Sequence, residues 1–158
     1  MDNSFINTSI KNFHTYCERL TEFLGSLPDG VLNKQVAKGR NSGLYLVGHL
    51  VAVNDSMIPL FGLGNRQFPE FEEIFVLNKD GAIQHQYDDK AIIEIWKQHT
   101  SFVKRSLQLL TEAAWLDRHA AVSEADFVTQ PNRNKLNVLI KRTLHLCYHM
   151  GQLALLRS

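Results

Sequence analysis

Apolar side chains recur at steps of three and four through four stretches of this chain, and no stretch shows the strict alternation of a strand. Ile6, Ile10, Phe13, Cys17, Leu20 and Leu24 form the first stripe and predict a helix from about Asn7 to Leu24. The breakers of Gly25-Ser26-Leu27-Pro28-Asp29-Gly30 end it. A second helix begins at Asn41 or Ser42, either of which can cap free backbone N–H groups, and runs to about Leu60. Pro59 and Gly62-Leu63-Gly64 are its stop signals. Apolar residues surround it on almost every side, as expected of a buried helix. Ile92, Trp96, His99, Val103, Leu107 and Leu110 predict a third helix, starting at Asp88-Asp89 and ending between Ala113 and Leu116. A fourth runs from about Lys135 to Arg157 behind Asn134 as cap. Leu136, Ile140, Leu144, Cys147, Gly151 and Ala154 share one arc of it and predict its packing face.

The connection from Gly64 to Tyr87 is long and rich in Phe68, Phe71, Ile74, Phe75 and Val76, too apolar for a solvated loop. A short helix over Glu70 to Leu77, lying across the others, fits this content. Ordered connections of this length are often lids or binding loops, and Phe68, Phe71 and Phe75 could wall a pocket. The pattern predicts an all-α fold, a four-helix bundle with a crossover connection between helices 2 and 3, forming one domain over residues 1–158.

Composition narrows the function classes. Apolar residues make up 44% and charged residues 21%, ordinary values for a globular domain. The net charge of +1 comes with no basic cluster, so no electrostatic footprint for nucleic acid is present. No apolar run reaches the length of a membrane span, since His49, Asn54, Asp55 and Pro59 interrupt the richest one. The polar N-terminus lacks the pattern of a secretory leader, which predicts a cytoplasmic protein. Two cysteines, Cys17 and Cys147, make no disulfide framework and read as small buried hydrophobes in a reducing compartment.

The candidate chemistry lies in histidines. His145 and His149 stand one helical turn apart in His-Leu-Cys-Tyr-His, a spacing that lets both imidazoles reach one metal ion. They fall opposite the predicted packing arc, facing either solvent or a cleft. His49, in the middle of the apolar second helix, is either a third ligand or a core histidine bonded to a backbone carbonyl. Three histidines with open positions left on the ion is the layout of a catalytic centre rather than a structural one. Cys147 points to the far side of helix 4 and cannot complete the set. Leu146 stands where a His-Glu-x-x-His peptidase has its glutamate, which disfavours that class. By helical spacing Gln152, Arg142 and Tyr45 are candidates to orient the imidazoles. Asp55 lies too far around helix 2 to reach the ion, and His99 reads as a core residue.

Asn41-Ser42-Gly43-Leu44-Tyr45-Leu46-Val47-Gly48-His49-Leu50, with His145-x-x-x-His149-x-Gly151-Gln152-Leu153 near the end, resembles the DinB-like superfamily. The resemblance covers the whole chain in helix order and is weakest between Gly64 and Tyr87. It implies that His49, His145 and His149 converge on one divalent ion, zinc or nickel. It also implies an activity like that of bacillithiol transferases or mycothiol-dependent maleylpyruvate isomerases, in which a low-molecular-weight thiol meets a metal. A small electrophilic molecule would be the acceptor, and the chain would form a homodimer. The alternatives are a metal-dependent hydrolase using the same site and a non-catalytic, stress-associated bundle that binds a metal or ligand.

Overall fold

A computed structural model describes residues 3–157. The described residues are helical, with no β-strand among them, and four long helices dominate: α1 (Asn3–Gly25), α2 (Gly43–Asp55), α5 (Asp89–Leu107) and α8 (Lys135–Leu153). Between them lie the short α3 (Met57–Leu60), α4 (Glu70–Glu72), α6 (Glu112–Leu116) and α7 (Glu124–Thr129). α1 packs on α5 and α8, and α2 packs on the same two, so the four enclose one helical core. No described helix is long and apolar enough to cross a membrane.

Local chemistry sets the helix ends. The Ser42 hydroxyl accepts from the Tyr45 N–H at 3.2 Å and starts α2. Asp88 caps α5 through the Ala91 N–H, and Asn134 caps α8 through the Asn137 N–H. Asp89 does more than favour the helix dipole, since its buried carboxylate accepts from the Leu32 N–H at 2.9 Å and ties the 31–33 turn to α5. Some expected boundaries move. α1 begins at Asn3, and the second helix breaks at Ser56 into α2 and α3. The third helix stops at Leu107, because Thr111 caps a separate helix, α6, through the Ala114 N–H. α7, capped by Ser123, occupies a stretch read as a plain polar connection.

The packing face of α8 differs from the predicted arc. Leu136, Leu139, Thr143, Leu146 and Leu153 are buried, with Met150 partly so, a strict three-four spacing in which Thr143 takes an apolar place. Thr143 can do so because its hydroxyl donates to the Leu139 carbonyl at 3.0 Å. Leu144, at 64% exposed, and Gly151 and Ala154 lie outside this face. The buried face therefore sits beside His145 and His149, not opposite them. Cys17 is buried as expected, whereas Cys147 is only half-buried, and both thiols are free.

The 64–77 segment is drawn into the core. Phe71 and Phe75 are fully buried, the latter on a π-helical turn over residues 73–77. Asp55, 0% exposed, holds the segment by accepting from the Gln67 and Phe68 N–H groups at 3.0 and 2.9 Å. His99 of α5, also 0% exposed, faces the same carboxylate at 3.7 Å, and its Nδ1 lies 3.3 Å from Gln67 Oε1. His99 is thus the core residue the sequence suggested.

Burial pushes the His99 pKa down to about 4, with the Asp55 carboxylate opposing the shift. An unfolded histidine takes its proton near pH 6.5, so between about pH 4 and 6.5 the unfolded chain binds more protons and stability rises with pH. The His99 contribution is complete above pH 6.5 and lost on acidification, on the order of 3 kcal/mol by pH 4. Urea titrations of the wild type and His99→Gln across this range should show a shallower pH slope in the variant.

Candidate metal centre

α2 and α8 bring His49, His145 and His149 together at their contact. The ligand atoms of the three lie within 4.8 Å of one another, and no Cys, Asp or Glu joins the group among the described residues. His145 Nε2 is 3.2 Å from His49 Nε2 and 2.9 Å from His149 Nε2. A tetrahedral ion with metal–nitrogen bonds of about 2.0–2.1 Å holds its ligand nitrogens roughly 3.3 Å apart. The two separations from His145 are close to that value.

The far sides of the rings define their tautomers. His49 Nδ1–H donates to the Phe75 carbonyl at 2.8 Å, and His149 Nδ1–H donates to Gln152 Oε1 at 2.6 Å. Both rings thus carry their proton outward and turn the Nε2 lone pair inward. His145 can offer at most one Nε2–H to these two lone pairs, and its buried Nδ1 has no partner. Three nitrogens facing one point with too few protons between them is a disposition that a cation satisfies.

Electrostatics agree. Burial lowers the pKa of His49 and of His149 below the usual histidine range. His145 falls to about 4, through burial first and then through His149, His49 and Arg142. All three rings are neutral at pH 7, the state that ligates metal.

The expected supports of the imidazoles divide. Gln152 holds His149 as its spacing suggested. Tyr45 does not bond His49; its ring stacks on the imidazole, 6.4 Å between centroids and 10° between planes, while its hydroxyl donates to the Asn78 carbonyl at 2.6 Å. Arg142 bonds no histidine and donates to the Ser56 hydroxyl at 3.2 Å. Asp55 bonds the 64–77 segment and does not belong to the histidine group. The Phe71 and Phe75 rings are fully buried in the core, and the segment reaches the histidines through the Phe75 carbonyl. His49 bonds a backbone carbonyl with one nitrogen and meets His145 with the other.

Gly48, just before His49, explains how Phe75 comes so near. A Cβ there would lie 2.7 Å from the Phe75 ring. Gly48→Ala should therefore push the ring and its carbonyl away, costing about 1–3 kcal/mol by overpacking. Thermal unfolding without metal reads that loss. Gln152→Leu removes the acceptor of His149 and should weaken zinc binding by about 10–100-fold with little change in fold. Competition against a chromogenic chelator measures it. No model of a known protein family matches this chain, and no curated protein matches it either.

Proposed function

We propose that this chain is a DinB-like metal-dependent enzyme of the thiol S-transferase type, in which His49, His145 and His149 hold one divalent ion, zinc or nickel. The convergence of three Nε2 atoms, two of them fixed as lone-pair donors by bonds on their Nδ1 sides, carries this reading. A divalent ion bound there lowers the pKa of a thiol and favours the thiolate, the nucleophile toward a small electrophilic molecule. The chain's part is to hold three neutral imidazoles in place and leave the remaining positions open. The long apolar connection from α2 to α5 supports the crossover topology of the resemblance. Exposed Leu144 and Tyr148 on α8 support a homodimer.

The test combines the zinc- or nickel-loaded chain with a low-molecular-weight thiol and a panel of small electrophiles, with thioether product quantified by chromatography. Metal-dependent turnover, reduced to background in His145→Ala, is the expected result. A chain that binds the metal yet gives the same product rate with and without it would instead be a non-catalytic metal-binding bundle.

A further inference from the structure

A cavity of about 510 Å³ begins one helical turn from the histidines. Its walls include Ala52 and Val53, which follow His49 on α2, and Arg142, which precedes His145 on α8. Val76, next to the residue whose carbonyl holds His49, closes another side. The cavity contains two guanidinium groups of unlike standing. Arg66 is paired with Glu72 through both its terminal nitrogens, so its charge is answered.

Arg142 has no such answer. It is half-buried, and among the described residues its one hydrogen bond runs from Nη2 to the neutral Ser56 hydroxyl. Its Nε–H is shielded from solvent without an acceptor, and no carboxylate lies within ion-pair distance of it among the described residues. A guanidinium stays charged and has five donors, so one with a shielded Nε–H and a single neutral partner on a cavity wall is suited to receive an anion. Its planar fork matches a carboxylate through two parallel bonds. Burial pulls its pKa down, and its charge helps lower those of His145 and His49, in keeping with its closeness to the metal centre.

We propose that Arg142 binds the carboxylate of a small organic molecule lodged in this cavity, its apolar body against Val53 and Val76. This names the substrate class of the site above and rests on that reading for its link to catalysis, but the anion site itself can be tested without metal. Arg142 is a positioning residue, fixing one end of the molecule so that the other lies toward the histidines.

The experiment follows the Arg142 Nε–H resonance of the ¹⁵N-labelled, metal-free chain during titration with hexanoate, and with hexanamide as the uncharged control. Hexanoate should shift the resonance saturably and hexanamide should not. Arg142→Gln should bind hexanoate at least tenfold more weakly, and Arg142→Lys should recover only part of the loss because it lacks the fork. Zinc affinity of Arg142→Gln should remain within about threefold of the wild type. No hexanoate binding to the native chain, or equal binding by folded Arg142→Gln, would overturn the proposal and leave Arg142 as a tether between α8 and Ser56. Failure of the native chain to bind zinc, with hexanoate binding intact, would overturn the metal reading alone.

Discussion

Replacement of any one of His49, His145 and His149 by alanine should lower zinc affinity by at least about 100-fold, because each removes one of three nitrogens that share one point. Calorimetric titration of the untagged chain should give one zinc per chain, and each variant should lose the transition. The folding effects should differ from the binding effects. His145 sits at the edge of the buried face with an unsatisfied Nδ1, so His145→Ala should leave the metal-free melting temperature almost unchanged or raise it. His49→Ala frees the Phe75 carbonyl, and about 1 kcal/mol of metal-free stability should go with it. In the wild type a saturating metal should raise the melting temperature with the logarithm of its excess over the dissociation constant, and a chelator should reverse the rise.

Asp55→Ala should have the largest effect on folding. The carboxylate is fully buried and accepts from two backbone N–H groups of the 64–77 segment. Hydrogen bonds to a charged group contribute about 1.5–3 kcal/mol each, and the orphaned donors would remain desolvated, so a loss of about 3–5 kcal/mol is expected. That is a large share of the stability of a typical domain. Asp55→Asn should be milder, since one amide oxygen still accepts while its NH₂ meets a donor. Zinc affinity should fall in Asp55→Ala even where the chain remains folded, because the 64–77 segment delivers the Phe75 carbonyl to His49. Urea unfolding and zinc titration on the same samples separate the two effects.

Periodicity exposed the four long helices, and residue type exposed the Asn134 cap and the histidines, while the cap of α2 stayed open between Asn41 and Ser42 and Asp88 read only as an acid at a helix start. Periodicity failed where polar residues occupy buried places. Thr143 interrupts the apolar stripe of α8, so in apolar residues alone the arc through Leu144 and Ala154 is more continuous than the buried one through Leu139, Leu146 and Leu153. The hydroxyl of Thr143 is satisfied by its own helix, which periodicity of apolar residues does not register. His149 is buried for a similar reason, its Nδ1–H taken by Gln152 one turn away. The Phe75 carbonyl was out of reach for sequence reasoning, because a main-chain group carries no residue signature. Its one trace was Gly48, whose lack of a side chain admits the Phe75 ring. Arg142 was placed near His145 by spacing, but its lack of an acidic partner emerges only from the packing of α8 against α2.

X-ray absorption at the zinc edge, on the untagged chain loaded with one equivalent of zinc, tests the central claim most directly. The account predicts an inner coordination shell containing three imidazole nitrogens at about 2.0–2.1 Å, reduced to two in His149→Ala. A sulfur scatterer at about 2.3 Å, which would implicate Cys17 or Cys147, would contradict it, as would a shell of oxygens alone.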